Sequence, residues 1–138
     1  MQESPESAFI MLFSLLNSKL TKKVDGQLSI HGISFTEYLI MHHLSNSPNK
    51  VMPRIQLAEC IGITASGVTR LLSPMEKNKL VEKEANPRDA RMSLVKLSKT
   101  GERLYEEASV GFEQAAKSAT DSLTGAQLDK LLRYLNML

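Results

Sequence analysis

The 138-residue chain lacks several features that would indicate catalysis or a membrane. It holds a single cysteine, Cys60, so it forms no internal disulfide and no cysteine-rich metal cluster. Apolar runs such as residues 9–13 are far shorter than the roughly 20 residues of a membrane-spanning helix, and no signal peptide is visible. A glycine-rich phosphate loop, an HExxH sequence and a nucleophile elbow are all missing. We therefore expect no catalytic residues, no cofactor, no membrane contact and a cytoplasmic location.

The histidines and the cysteine do not form a functional pattern. His42 and His43 are adjacent, so on a helix their side chains point about 100° apart. No carboxylate or cysteine spacing completes a ligand set with them or with His31. The acidic and apolar neighbours of Cys60 do not favour a reactive thiolate. We expect no metal site and no redox sensing.

Positive charge is concentrated in one part of the chain. Residues 51–100 hold nine Lys and Arg against five Asp and Glu, while the whole chain has a net charge of only +2. Such a concentration is expected of a nucleic-acid-binding surface, although solvated faces also explain an excess of this size. The length and the 42% hydrophobic content fit one domain with an ordinary core.

Residues 54–77 show the pattern of two helices joined by a short turn. Apolar residues recur at near helical spacing over residues 54–61, Gly62 breaks the pattern, and Thr64 is placed to cap a second helix. An apolar stripe of that helix is formed by Val68, Leu71, Leu72 and Met75. The opposite face is small, polar and basic, with Ser66, Thr69, Arg70, Ser73 and Lys77. This pattern is typical of a helix-turn-helix, whose second helix enters a DNA groove.

A basic hairpin is predicted directly after the second helix. Residues 86–91, NPRDAR, contain three turn formers, and the apolar residues 80–81 and 92–97 can pair as two strands. Arg88 and Arg91 then lie at or near the tip, where guanidinium groups reach phosphates or a narrow groove. A solvated turn also fits this segment alone. With the helix-turn-helix before it, the hairpin predicts a winged helix, a mainly α fold with a small β-hairpin wing.

The same residues carry a family resemblance. The sequence ITASGVTRLLSPMEKNKLVEKEANPRDARMSLVKLSKTG closely resembles the recognition helix and wing of the MarR family of bacterial transcription regulators. The family's signature places an Asp and an Arg two apart in the wing, followed by Leu-Thr-x-x-Gly. This chain has Asp89, Arg91 and then LSKTG at residues 97–101, in which Ser98 replaces the usual Thr and can cap the following helix equally well. The likeness extends over about residues 30–105.

The resemblance implies a way of binding DNA. Major-groove contacts to bases and phosphates are expected from Thr64, Ser66, Thr69, Arg70, Ser73 and Lys77. Arg91 is expected to reach the flanking minor groove, and Arg88 either adds a phosphate contact or faces solvent. Asp89 is expected to hold a neighbouring arginine in position through a bidentate pair.

Pro74 departs from the family pattern, which usually has a helix former or Arg at this position. Proline removes the hydrogen bond to the carbonyl of Arg70 and disfavours helical geometry at Ser73. We therefore predict a kink or a locally open turn at residues 70–74. A kink would put the DNA contacts of Ser73 and Lys77 in doubt.

The flanking segments predict dimerisation helices. A first helix over about residues 5–23 carries an apolar stripe that includes Phe9, Leu12, Phe13, Leu16 and Leu20. Capping boxes at Ser34 with Glu37 and at Thr124 with Gln127 predict two further helix starts, and a long helix is predicted over about residues 98–122. The last helix has an apolar face of Leu128, Leu131, Leu132 and Leu135. These stripes either pack within one subunit or, as the resemblance implies, interlock in an obligate homodimer.

The resemblance also implies a domain plan and an effector. A single domain over residues 1–138 would hold a DNA-binding lobe of about 34–97 and dimerisation helices of about 5–30 and 98–138. Two recognition helices in a dimer should lie about 34 to 36 Å apart on a pseudopalindromic operator. A small aromatic or phenolic anion is expected between the lobe and these helices, at Phe13, Asn17, His31, Tyr38 and His42. For each of these residues a purely structural role is equally compatible.

Two functions therefore stay open at this point. The first is a dimeric repressor, bound to double-stranded DNA at the bacterial nucleoid and released by a small ligand. The second is a winged-helix module for protein interaction or structural dimerisation without specific DNA binding. Binding that neutralises phosphates weakens steeply with salt, so salt dependence separates the two.

Overall fold

Helices provide most of the fold in the computed structural model, which describes residues 2–89 and 91–138. The helices are α1 (Pro5–Leu28), α2 (Phe35–Ser45), α3 (Arg54–Ile61), α4 (Ala65–Lys77), α5 (Lys99–Ala119) and α6 (Gly125–Leu135). The strands are β1 (Val51–Pro53), β2 (Val81–Glu84) and β3 (Leu94–Leu97). Short 3-10 turns at Ser29–His31 and Pro48–Lys50 connect α1 to α2 and α2 to β1. The expectation of a mainly α fold with a small β wing is confirmed.

Helix starts follow the capping residues that the sequence contains. The amide of Glu37 donates to Ser34 Oγ at 3.2 Å while the amide of Ser34 donates to Glu37 Oε1 at 3.0 Å, which completes the first predicted capping box. The box of Thr124 and Gln127 forms in the same way at the start of α6. Thr64 caps α4, because its Oγ1 accepts from the amide of Gly67 at 3.1 Å.

The sheet has three strands rather than the predicted two. Its order is β1-β3-β2 and both pairings are antiparallel, with Val51 opposite Lys96 and Val81 opposite Leu97. Sequence reasoning missed β1 because it is three residues long and ends in proline, which is tolerated in an edge strand. It also placed the first hairpin strand too early, since most of β2 is exposed and charged and shows no apolar pattern.

The helix ends also differ from the predicted ones. The first helix continues to Leu28 instead of stopping near residue 23, because Val24 and Leu28 are buried one turn apart on the same face. Helix α5 ends at Ala119, three residues before the predicted end. Gly26 lies inside α1 without breaking it, since tertiary packing of the neighbouring apolar residues outweighs its low helix propensity.

Helix α4 runs unbroken through Pro74, so the predicted opening of the turn at residues 70–74 is wrong. Pro74 lies in the last part of the helix, where a lost hydrogen bond affects few following residues. Leu72 and Met75 on either side of it are fully buried and hold the helix against the core. The amide of Asn78 still donates to the carbonyl of Pro74 at 3.0 Å. A bend of the helix axis at Pro74 stays a prediction.

The core joins the helix-turn-helix to the long helices. Its fully buried large side chains include Leu28, Ile40, Met41, Leu44, Leu57, Leu72 and Met75. Helix α5 packs against both α1 and α2, so it connects the terminal helices to the lobe. None of the described helices has the length and apolar character needed to cross a membrane.

Candidate nucleic-acid interface

The predicted DNA contacts of α4 lie together on its solvent side. Val68, Leu72 and Met75 point into the core and are fully buried. The outer face, defined by Ser66, Thr69, Arg70, Ser73 and Lys77, is exposed throughout. The helical period therefore separates a packing face from a polar and basic face in one 13-residue helix.

The N-terminus of α4 is fixed by hydroxyl groups. Thr64 Oγ1 accepts from the amide of Gly67 and lies 3.2 Å from Ser66 Oγ. A side chain at position 67 would begin 3.2 Å from Thr64 Oγ1, a tight approach for a Cβ atom. Because Gly67 has no side chain, backbone and hydroxyl groups of the first turn can approach a DNA groove closely.

Thr69 is held by a residue that sequence reasoning did not single out. Nη1 of Arg54, the first residue of α3, donates to Thr69 Oγ1 at 2.9 Å. The Thr69 hydroxyl in turn donates to the carbonyl of Ala65 at 3.1 Å. The sequence offered only the basic character of Arg54 as a signal, because its partner lies 15 residues away in another helix.

The wing turn is built from two side-chain bonds to backbone amides. Asn86 Oδ1 accepts from the amide of Arg88, and Asp89 Oδ1 accepts from the amide of Arg91, both at 2.9 Å. Both arginine side chains are exposed. The neighbouring Ala90 lies outside the described residues. Such turns leave the guanidinium groups free to extend toward an acidic partner.

Asp89 positions Arg91 through its backbone rather than through its guanidinium. Among residues 2–89 and 91–138, the ion pairs of 4.0 Å or less join Lys50 to Glu102 and Lys83 to Glu76, and Asp89 takes part in neither. A bidentate pair between Asp89 and a neighbouring arginine therefore stays a prediction.

A small recess separates the wing from the helix-turn-helix. We call it the arginine recess and define it by its lining residues Pro53, Arg54, Ile55, Arg91, Met92 and Ser93. Its volume is about 160 Å³, and none of the lining residues is acidic. The amide of Arg54 donates to the carbonyl of Ser93 at 3.3 Å, which ties the start of α3 to the wing.

The residues predicted for an effector site fall into two groups. Tyr38 is buried in an aromatic cluster with Tyr105 and Phe112, at ring-centroid distances of 5.1 and 4.6 Å. His42 Nδ1 lies 2.8 Å from the hydroxyl of Tyr105, so both residues belong to the junction of α2 and α5. Phe13 and Asn17 are exposed on α1, and His31 is half-buried in the following 3-10 turn. The ring of Phe13 pairs with that of Phe9, at a centroid distance of 5.7 Å.

Burial affects two titratable groups beside this junction. It raises the pKa of the Tyr38 hydroxyl well above its ordinary value, with Tyr105 and Glu113 adding smaller effects. It lowers the pKa of His43 below the ordinary 6.5, with a smaller effect from His42. Burial therefore favours the neutral form of both side chains.

The residues predicted for dimerisation form exposed apolar surfaces. On α1, Phe9, Leu12 and Leu16 are 40 to 65% exposed. On α6, Leu131 and Leu132 are exposed, whereas Leu128 and Leu135 are half-buried. Large apolar side chains in this number are rarely left in water over a contiguous face.

The expected absence of a metal site and of redox sensing stays a prediction. Over residues 2–89 and 91–138, no group of three or more His, Cys, Asp or Glu side chains is arranged to hold a metal ion. Cys60 is exposed on α3 as a free thiol.

The arrangement defines a winged helix-turn-helix protein, with α3 and α4 as the helix pair and β2 and β3 as the wing. The sequence model of the MarR family matches residues 31–92, so this part of the chain is similar to that family. Members of that family are transcription regulators and not enzymes.

The chain is also similar to individual transcription regulators. The uncharacterized HTH-type transcriptional regulator YhbI of Bacillus subtilis (strain 168) is 26% identical over 120 residues, which cover 87% of this chain and 77% of the relative. Sco3205, a MarR family transcriptional regulator from Streptomyces coelicolor solved in complex with DNA, has 24% identity and a TM-score of 0.89 over 99% of this chain and 88% of that chain. A mutant MarR from E. coli, solved with operator DNA, has 21% identity and a TM-score of 0.85 over 92% of this chain and 90% of that chain.

Proposed function

We propose that this protein is a MarR family regulator, a homodimeric repressor that binds a pseudopalindromic operator and is released by a small aromatic or phenolic ligand. One observation carries the DNA-binding part: the polar and basic outer face of α4 is exposed, as are the two arginines of the wing. Side chains of these types contact bases and phosphates in other helix-turn-helix proteins. The regulator acts in the bacterial cytoplasm.

In this proposal the chain is divided between two tasks. Residues 34–97 form the DNA-binding lobe, while residues 5–30 and 98–138 form the dimerisation helices. Arg70 and Ser66 read the major groove, and Arg91 enters the flanking minor groove, where its cation is attracted to the negative potential. Thr64, Ser73, Lys77 and Arg88 add contacts at the edges of this surface.

Fluorescence anisotropy against labelled DNA from the gene's own upstream region tests the DNA-binding part. Arg91→Ala should weaken binding to this DNA and reduce its preference over random duplex. Arg133→Ala, on α6 and outside the lobe, removes the same charge and should leave binding unchanged. Equal and weak binding of the wild type to every duplex would contradict sequence-specific recognition. Absence of binding at low salt would favour a protein-interaction module.

The exposed apolar faces of α1 and α6 support the dimer. Burying them would remove a large apolar area from water, at about 25 cal/mol per Å². Leu132→Glu places a charge in that face and should shift sedimentation from dimer to monomer. Ile55→Glu changes an equally exposed apolar residue on α3 and should leave the dimer intact. A wild type that sediments as a monomer at micromolar concentration would contradict the obligate dimer.

The junction of α2 and α5 supports the effector part. Tyr38 and His42 lie there beside Tyr105, between the lobe and a long helix. An anionic aromatic ligand could stack on the rings and accept a hydrogen bond from His42, with Phe13, Asn17 and His31 closing the site in the dimer. A panel of benzoate and phenolate anions should release bound DNA, and His42→Gln should blunt the release. A ligand that binds tightly without changing DNA affinity would not be an effector, since it does not distinguish the two conformations.

A further inference from the structure

Arg54 is bonded both to the wing and to the recognition helix. Its amide donates to the carbonyl of Ser93, just before β3, at 3.3 Å. Its Nη1 donates to Thr69 Oγ1, on the outer face of α4, at 2.9 Å. A single residue thus connects the two parts of the lobe that are expected to touch DNA.

No carboxylate of the described residues forms an ion pair of 4.0 Å or less with Arg54. Its Nε is buried and has no acceptor among residues 2–89 and 91–138. Arg54 takes part in neither of the ion pairs found among those residues, and the arginine recess contains a second arginine and no carboxylate. A partly buried guanidinium that has no counter-ion and whose Nε has no acceptor is unfavourable, so the recess favours an anion.

We propose that Arg54 is a DNA-binding residue that takes a backbone phosphate in the arginine recess and positions Thr69 at the same time. This inference rests on the DNA-binding function proposed above. The recess is about 160 Å³, below the roughly 300 to 1,000 Å³ of small-molecule sites. It is therefore suited to a phosphate group rather than to an organic effector. A guanidinium can donate to Thr69 and to phosphate oxygens together because its five N–H donors spread over one plane.

The bond to Arg54 also limits what Thr69 can recognise. The Thr69 hydroxyl already donates to the carbonyl of Ala65 and accepts from Arg54. Its remaining capacity is one acceptor lone pair and a methyl group. Thr69 therefore recognises a base-edge donor, such as an adenine or cytosine amino group, or the methyl group of thymine. It does not donate to a phosphate.

Salt dependence of DNA binding tests the phosphate contact. The probe is a 30-base-pair duplex recovered with the wild-type protein from a random library, titrated by anisotropy at several salt concentrations. Log K falls as log salt rises, and each neutralised phosphate adds about 0.9 to the steepness of that fall. Arg54→Gln should therefore make the fall shallower by about 2 in a dimer, which loses one phosphate contact per subunit. Lys117→Gln makes the same charge change at the end of α5 and should leave the slope unchanged.

Two further variants separate the roles of Arg54. Arg54→Lys keeps the charge but not the planar fork, so the slope should be retained. Thr69→Val removes both hydroxyl bonds, so it should keep the slope and change base preference at one position of each half-site. Thermal unfolding followed by circular dichroism should show that all variants remain folded.

The outcomes are distinguishable. An unchanged slope in folded Arg54→Gln, with steep salt dependence in the wild type, would overturn this inference and leave the proposed function standing. Equal losses in Arg54→Gln and Lys117→Gln would overturn it too, because net charge would then be the cause. A wild type without salt-dependent binding would overturn the proposed function itself.

Discussion

Gly101 lies directly against the backbone carbonyl of Leu80, so closely that a Cβ atom added at position 101 would overlap the carbonyl oxygen. This contact joins the first turn of α5 to the residue before β2. It also explains why glycine follows three residues after the capping Ser98, since helix and hairpin approach each other by their backbones.

Gly101→Ala should destabilise the protein by roughly 1 to 3 kcal/mol, because the backbone must move to relieve the overlap. Urea unfolding should show a lower midpoint at unchanged m-value. Gly125→Ala is the matched control, since an added Cβ there would meet no atom within 4 Å. That variant should be neutral or more stable by up to about 1 kcal/mol. Similar losses in both variants would contradict the close contact.

Ser98 should tolerate threonine but not alanine. Its hydroxyl shares one proton between the carbonyls of Lys79 and Leu80, at 2.6 and 2.9 Å, and accepts from the amide of Gly101 at 2.9 Å. Ser98→Ala removes these bonds, and only the Leu80 carbonyl keeps a partner, the amide of residue 98. The variant should therefore cost roughly 1 to 3 kcal/mol in unfolding free energy. Ser98→Thr keeps the hydroxyl and should unfold close to the wild-type urea midpoint. A destabilised threonine variant would show that the site is too tight for an extra methyl group.

Pro74→Ala should stabilise the protein, because α4 is already helical through this exposed position. Alanine restores an amide that can donate to Arg70, and proline in a helix interior costs about 3 kcal/mol. The unfolded chain of the alanine variant is more flexible than that of the wild type, and this entropy offsets about 1 kcal/mol of the gain. Chemical unfolding measures the stability, and DNA affinity reports on a bend. Unchanged affinity would argue against a functional kink, whereas reduced stability would show that proline itself is needed for packing.

Stability should fall on acidification partly through His43. Its pKa is lowered in the folded protein by burial and by His42, so the unfolded chain binds protons more readily. Neutral His43 therefore contributes fully to the unfolding free energy above pH 6.5, the ordinary pKa of histidine. This contribution is lost as the pH falls from 6.5 toward the lowered pKa of the folded protein. His43→Gln should therefore show a shallower decrease of the urea midpoint between pH 7.5 and 5.5. An identical pH profile in the variant would rule out His43 as a contributor.

Local sequence signals predicted the parts of the fold that local physics determines. The capping residues Ser34, Thr64, Ser98 and Thr124 all cap helices as expected, since each acts within three residues of its partner. The strand β1 was not predicted, because its stability comes from pairing with β3, more than 40 residues later. A strand of three residues is also too short to show an alternating pattern of apolar and polar residues.

In the candidate site, too, local sequence patterns predicted some features, whereas contacts between distant residues determine others. The helical period correctly separated the buried side of α4 from its exposed outer face. The bond from Arg54 to Thr69 depends on the angle between two helices, which spacing along the chain does not encode. The predicted opening at Pro74 failed for a related reason, because burial of Leu72 and Met75 outweighs the local preference of proline.

Strand β1 has a mechanical consequence for regulation. It pairs with β3 of the wing and continues without a gap into α3, so wing and helix-turn-helix share one stretch of backbone. We therefore expect the two to move as one rigid unit. Under the proposed function, an effector that rotates this unit would withdraw the contacts to both grooves in one movement, which favours an abrupt release of DNA over a gradual loosening.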